Sequence, residues 1–244
     1  MACGGAVDTG EVSFAGRLSG FSSASSAFID DKRLGATEAP TTNPSTINET
    51  PVVRSQLFMM GSGTLGSVTI DGTQLCTCEY LSWGYWSGEI VTAESTENQF
   101  TRGRVHLATF VAGQLPAVEE IQQSGDASFS GHLIGNVFDG TNQNIAAGKF
   151  DHTSHFATRT GDLSITNFDT NKNFTGGVTV PGNGRDFVGT FVGTTNAAGI
   201  AGVYSGSFFK GGNDPSAAMG GQFTMAGGNY VAAGTFAAQK QVQP

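Results

Sequence analysis

The chain has 244 residues, with 36 Gly, 18 Phe and only 13% charged residues, which is enough for one large all-β domain or two smaller ones. No Ala/Glu/Lys/Leu stretch has helical period, and so low a charge content is unlike a cytosolic enzyme. The net charge of −8 is uneven, with 13 acids against 6 bases over residues 1–124 and 7 against 6 over 125–244. No basic stripe suits a nucleic-acid backbone, and no polybasic segment suits an anionic lipid surface, so neither is expected as a partner.

The chain opens MACGG. Cys followed by Gly-Gly resembles the mature N-terminus of a bacterial lipoprotein, with Cys3 as the acylated anchor; the alternative is that Met1 and Ala2 are expression remnants and Cys3 is internal to a longer chain. No apolar run reaches the roughly 20 residues of a membrane helix, and no secretory signal pattern is visible, so no direct membrane span is expected. VSFAGRLSG (12–20) predicts a strand, and GATEAPTTNPSTINETP (35–51) reads as a loop or linker. VVRSQLFMM (52–60) and GSVTIDG (66–72) alternate like two further strands. GSGTLG (61–66) between them has neither the Lys of a phosphate loop nor a following helix, so it cradles no phosphate.

CTCEYLSWGYWSGEIV (76–91) is the most aromatic piece of the chain. In a strand Cys76 and Cys78 point to one face. With Cys3 they allow a structural disulfide, since a direct 76–78 bridge is strained in extended backbone. Unpaired thiols are the second reading, and a metal site the third, although two ligands fall short of the three or four it requires. Trp83, Tyr85 and Trp86 form either an exposed interaction surface or a buried anchor holding the N-terminal strands to the rest. TRGRVHLATFVAG (101–113) predicts a strand, and QLPAVEEIQQSG (114–125) a short helical or irregular connection.

From residue 126 the rhythm becomes regular. Candidate strands fall at 126–138, 145–156, 161–168, 172–180, 186–194, 200–210, 218–226 and 229–238, separated by turn signals such as DTNKN and AGGN. Eight antiparallel strands can close into a barrel without edges. Phe129, Leu133 and Val137 share one face against Ser128, Ser130 and His132, and Phe174, Val178 and Val180 oppose Asn173, Thr175 and Thr179. A membrane-spanning barrel needs an apolar outer face with aromatic girdles; a polar face here predicts a water-soluble barrel with Phe and Gly interdigitating inside. A filled lumen places any binding on loops and outer surfaces. In DHTSH, His152 and His155 face opposite sides of a strand and do not converge, and both are expected in loops or facing solvent. No nucleophile elbow accompanies the Ser, His and Asp present, so no enzymatic activity, cofactor or metal is expected. Asn48 and Asn173 begin Asn-x-Thr tripeptides, a pattern common by chance.

The closing strands carry Phe187-Val188-Gly189-Thr190-Phe191, then Tyr204-Ser205-Gly206-Ser207-Phe208, then Gly220-Gly221-Gln222-Phe223, then Gly234-Thr235-Phe236. This pattern over 125–240 resembles the transferrin-binding protein B type of β-barrel of Gram-negative surface lipoproteins. NDPSAAMGG stands where that family often has Gly-Pro-x-Ala-x-Glu-x-Gly-Gly, with Ala218 or Met219 in place of the acid. CTCEYLSWGYW also resembles a segment of alphaproteobacterial FecR-domain surface proteins. The resemblance implies a non-enzymatic module on the extracellular face of the outer membrane, or secreted, engaging a protein or haem-type ligand through loops. The alternative is a self-assembling structural unit of a surface fibre or adhesin. The expected organisation is a β-rich region at 1–124, the eight-stranded barrel at 125–240 and a tail at 241–244.

Overall fold

The computed structural model describes residues 16–22, 28–34, 52–54, 69–70, 72–75, 78–93, 100–180 and 184–242. The regular structure among them is β1 (Gly16–Ser22), β2 (Phe28–Leu34), β3 (Val52–Arg54), β4 (Thr69–Ile70), β5 (Thr73–Gln74), β6 (Leu81–Ala93), β7 (Phe100–Gly113), β8 (Asp126–Phe138), β9 (Gln143–His155), β10 (Thr160–Phe168), β11 (Lys172–Val180), β12 (Asp186–Gly193), β13 (Ala201–Gly211), β14 (Asp214–Gly227) and β15 (Tyr230–Lys240). Two 3-10 turns at Val118–Glu120 and Thr195–Ala197 complete it. The protein is all-β, as its composition predicts.

Strands β8 to β15 close into an eight-stranded antiparallel barrel in which each strand pairs with its chain neighbours and β15 closes on β8. The reason is visible in the cross-strand register. Phe191 stands opposite Gly176 on one side and Gly202 on the other. Tyr204 stands opposite Gly189, Phe187 opposite Gly206, and Phe236 opposite Gly221. Opposed residues share a face, so each of these four rings lies over a glycine of a neighbouring strand. A Cβ on Gly189 would come within 2.2 Å of the Tyr204 ring, and one on Gly202 within 2.4 Å of Phe191. The Gly-x-Phe rhythm is therefore a volume code: a ring and a vacancy alternate along each strand and between strands, and the rings fill the lumen. Phe129, Phe150, Phe168, Phe174, Phe191 and Phe236 are fully buried there. The outer wall instead carries Ser128, Ser130, Asp151, Thr153 and Thr190 at half-buried or exposed positions. This is the reverse of a membrane-spanning barrel.

Strand β14 begins at Asp214, four residues earlier than the predicted 218, because Gly212 (φ 58) makes the turn with Asn213 alone. Asp-Pro reads as loop, but the β14–β15 ladder starts only at Ala218, so Pro215 withholds no ladder hydrogen bond. The Asp214 carboxylate bonds the Ser216 amide at 2.9 Å and Lys240 at 3.0 Å, fastening the two strand ends together.

The other described strands form a sheet of order β2-β1-β7-β6-β3 and a small β4–β5 hairpin. Strand β2, FIDDKRL, has no counterpart among the predicted elements, since its central charges mask the alternation. A second apolar cluster joins these strands to the barrel. Leu75, Cys78, Leu81, Trp83 and Val111 pack on Ile134, Ala147, Phe209, Ala218 and Ala237, the outward side chains of β8, β9, β13, β14 and β15. Gly220 and Gly113 allow the close approach: a Cβ on the first would come within 2.7 Å of Val111, and on the second within 2.7 Å of Phe209. Burial on both faces explains why β15 over Ala232–Ala238 carries small residues apart from the lumen ring Phe236, with every residue buried.

Candidate functional site

The two ends of the barrel differ. At one end, the hairpins 139–142, 169–171 and 228–229 and the 194–200 connection cluster. There the Asp169 carboxylate accepts hydrogen bonds from Asn144 Nδ2 at 2.9 Å, Lys172 Nζ at 2.9 Å and Tyr230 OH at 3.0 Å. Burial alone would raise its pKa, but the bonds from Lys172, Asn144 and Tyr230 outweigh that and hold it below the usual value. The Lys172 ammonium also lies 5.1 Å from the Tyr230 ring centroid. Asn167, Asp169, Thr170 and Asn171 all have φ between 42° and 67°, a left-handed run that non-glycine residues rarely adopt. The carboxylate clamp holds this turn in its unfavourable conformation. Its donors and acceptors are satisfied by one another, so it is a structural lock.

At the opposite end, a cavity of about 30 Å³ opens between the 114–125 connection and the barrel rim, lined among others by Gln122, His152, Ser154, Arg159, Asp186 and Phe187. His152 points inward from β9 and is 2% exposed. Its Nδ1 is 3.1 Å from Ser154 Oγ and its Nε2 is 3.3 Å from Tyr204 OH. The ring stacks with Phe150 at 6.3 Å and Phe187 at 5.9 Å. Burial in this aromatic surrounding pulls the imidazole from 6.5 down to about 4, and burial likewise raises the Tyr204 phenol. His155, three residues along and on the outer face, is different: Asp126 at 2.9 Å and Asp162 at 3.2 Å hold its two nitrogens and raise its pKa.

The expectation that both histidines face solvent or loops is thus corrected for His152. Residues 150, 152 and 154 share one side of β9, so the phase set by Phe150 turns His152 inward. The two histidines do face opposite sides. Chemically the arrangement is a poor engine. Ser154 contacts His152, but no carboxylate contacts the ring, and a base of pKa near 4 abstracts a serine proton weakly at neutral pH. Both nitrogens of His155 are taken by carboxylates, and among the described residues no group of three or more His, Cys, Asp or Glu side chains is arranged to hold a metal. Drug-sized ligands occupy pockets of about 300–1,000 Å³. A cavity of about 30 Å³ holds a water molecule or two, so this mouth takes no haem-sized ligand.

The charge state of His152 has a measurable consequence. The unfolded chain binds a proton on this ring below about pH 6.5 and the folded chain only near pH 4, so the group's stability contribution is intact above pH 6.5 and is lost as pH falls towards 4. The expected loss is about 3 kcal/mol between pH 7 and pH 4. Urea midpoints across that range, compared for the native chain and His152→Gln, measure it; a pH slope identical in both would assign the effect elsewhere.

Of the predicted interaction residues, Trp83 is fully buried in the second cluster and presents no side-chain surface to a partner. The backbones of Tyr85 and Trp86 pair with Thr109 and Ala108, while their side chains lie outside the described residues. Cys78 is buried at 1% exposure in the same cluster; Cys3 and Cys76, the other members of the disulfide expectation and of the lipid-anchor expectation, lie outside the described residues.

A surface absent from the sequence expectations is the uncovered wall of the barrel. Val188, Val192, Val203 and Val231 are 43%, 57%, 46% and 38% exposed. Register places Val192, Ala201, Ala226 and Val231 in one row across β12 to β15. Val203 lies in the adjoining row between Thr190 and Thr224. These positions carry no charge. The signal in the sequence is the apolar residue at every second outward position of FVGTFVG, where a solvated wall would carry polar side chains.

The fold matches solved structures of transferrin-binding protein B. A double alanine mutant of that protein from Haemophilus parasuis aligns with a TM-score of 0.53 at 18% identity, over 82% of this chain and 42% of that one. A single mutant from the same organism gives 0.55 at 16% identity, over 94% and 46%. Intact Ap-TbpB, with its N and C lobes, gives 0.52 at 15%, over 94% and 46%. The likeness at such identities is one of fold, and the chain spans less than half the length of these structures. None of them bears on the resemblance to FecR-domain proteins. No family model matches the chain, and no curated protein matches it in sequence.

Proposed function

We propose that the chain is a non-enzymatic binding module of a bacterial cell surface, engaging a protein partner on the outside of its barrel. The filled lumen carries this reading, because it moves binding from the barrel's interior to its outer wall and loop ends. Trp83 and its neighbours cover the wall at Ile134, Ala147, Phe209, Ala218 and Ala237. Away from that patch the wall offers the uncharged Val188–Val192–Val203–Val231 face, and depletion of charge is what marks the centre of protein interfaces. A rigid, edge-free barrel also presents such a face without ordering cost. The proposed organisation is residues 125–240 as the barrel and 1–124 as its β-rich cover, with Cys3 as the tether to the outer membrane.

The structures matched in fold are of transferrin-binding proteins, which makes serum transferrin the first partner to try. Immobilised transferrin should bind the folded chain saturably, and Val192→Lys with Val203→Lys should weaken binding at least about tenfold, the effect of an unpaired charge placed in an interface centre. Binding unchanged by the double variant removes the wall from the proposal, and no binding by the folded chain removes transferrin. Concentration-dependent assembly in size-exclusion chromatography, abolished by the same variant, would replace a foreign partner with a second copy of the chain.

A further inference from the structure

The 114–125 segment borders the mouth that holds His152, and at its end Phe156 donates its backbone N–H to Gly125 O at 3.0 Å. Lys210 donates its backbone N–H to Gln114 O at 2.7 Å and its ammonium to Glu120 Oε1 at 2.6 Å. Arg185 Nη1 reaches Pro116 O at 3.5 Å. Glu120 Oε2 accepts from the Ala117 N–H at 2.8 Å, which shapes the 3-10 turn. Its N-terminal part is anchored by Leu115, packed against the second cluster, and by buried Pro116. Ile121, 2% exposed, is its member of the lumen cluster. Gln122 and Gln123 follow it and form one side of the cavity whose other side is His152, Ser154 and Phe187. Residues 117–125 are therefore a strap whose plug in the lumen is Ile121, and the buried imidazole lines the cavity beside it.

Among the groups around His152 is the cationic Arg159, which follows β9 and lines the same cavity together with His155. Tyr204 faces it from β13 and Ser154 from its own strand, both neutral. Strand β8 places Phe129 opposite it, and Phe187 approaches from β12. Asp162 of β10 and Asp126 of β8 lie across the wall and are engaged by His155. Asp186, which lines the cavity, is bonded to Arg185 at 2.9 Å and to Ser207 at 2.6 Å. The strap itself carries Glu119 and Glu120, the second bound to Lys210. No carboxylate touches the ring, so a proton on it has only two hydroxyls and two aromatic faces for solvation. The cavity that the strap borders reaches the ring.

We propose that the strap is an acid-sensitive gate: a proton taken up by His152 lifts the 117–125 segment and withdraws Ile121 from the lumen. Opening exchanges an aromatic surrounding for water, which favours the charged ring, and by linkage the charged ring favours opening. The lumen at this end then exposes Phe156 and Phe208, a pair of rings 5.4 Å apart that the closed mouth covers. Closing reverses on neutralisation.

The size of the effect is bounded. A ring that is fully hydrated when open and titrates near 4 when closed shifts the opening equilibrium by at most about 60-fold between pH 7 and pH 4.5. Hydrogen exchange followed by mass spectrometry on the full chain measures it without a ligand. After correction for the intrinsic pH dependence, amides of 118–123 should exchange at least about tenfold faster at pH 4.5 than at pH 7, while amides of β10 and β11 near residues 167–174 stay unchanged. In His152→Gln the acceleration should fall below about twofold. Glu120→Gln, which weakens the strap's ion pair at every pH, should speed exchange at pH 7 and keep the acid response. An NMR titration of the native chain provides a reading that needs no variant: the His152 resonances should move together with those of the Ile121 methyls. Acceleration of equal size in His152→Gln, an acid response lost in Glu120→Gln, or Ile121 methyls that stay fixed while His152 titrates would each overturn the gate.

Discussion

Replacing Phe236 by alanine should lower the stability of the barrel by about 3–5 kcal/mol, the usual range for removing a buried ring. Phe236 has no exposed surface. Its ring stacks on Phe150 at 4.3 Å with 10° between planes, and Tyr204 and Phe187 stand 6.1 Å and 6.4 Å away. The same ring lies over Gly221, whose missing side chain makes the room for it. The site has little means to collapse once the ring is gone. Its neighbours on both sides, Leu133 and Gly221, are fixed by backbone ladders to β8 and β14 in a closed barrel, and a small native domain has only about 5–15 kcal/mol to lose. Urea denaturation should show the midpoint falling with an unchanged slope. Phe236→Leu, which retains most of the volume, should lose about 1.5 kcal/mol or less. A loss under about 1 kcal/mol for the alanine variant would mean that the lumen is not packed by this ring.

The barrel was legible because one regularity recurs on every strand. Gly-x-Phe spacing, turn signals such as DTNKN and a polar second face predict eight strands, and seven of them start within two residues of the predicted positions or at them, among them Asp126 and Lys172. What escaped the sequence depends on partners distant in the chain. Ala233, Thr235 and Ala237 face outward yet are buried. Period-two reasoning cannot distinguish a small outward residue in solvent from one beneath Trp83, unless a run of such residues is itself read as a sign of cover. His152 was misjudged because its polarity was weighed above its phase with Phe150. The exposed valines of β12 and β13 were overlooked for the opposite reason: β-branched residues are ordinary in strands, and only burial on the facing side shows that Val188 and Val192 turn outward. The candidate site was thus less readable than the fold, since the signals of a filled lumen are repeated and those of a binding face are not.

Trp83→Ala should also have a large effect, about 3–5 kcal/mol, but at a different place. Trp83 is fully buried and opposes Val111 across β6 and β7. Its cluster shares no member with the lumen cluster: Ile134, Ala147, Phe209, Ala218 and Ala237 are outward residues of strands whose inward residues pack separately. Losing the indole therefore acts on docking of the cover rather than on closure of the barrel. The remaining anchors are Leu75, Cys78, Leu81 and Val111 of the same cluster, the bond from Glu79 N to Gln239 Oε1 at 3.3 Å and the Tyr80 ring against Gly211. Hydrogen exchange should show protection lost over residues 78–93 and 100–113 at denaturant concentrations where β9 to β12 remain protected, and thermal unfolding should divide into two steps. Trp83→Phe, which keeps an aromatic ring in the cluster, should retain one cooperative transition. Simultaneous loss of protection in cover and barrel would join the two clusters into one cooperative unit, and the small outward residues of β15 would then contribute to barrel closure itself.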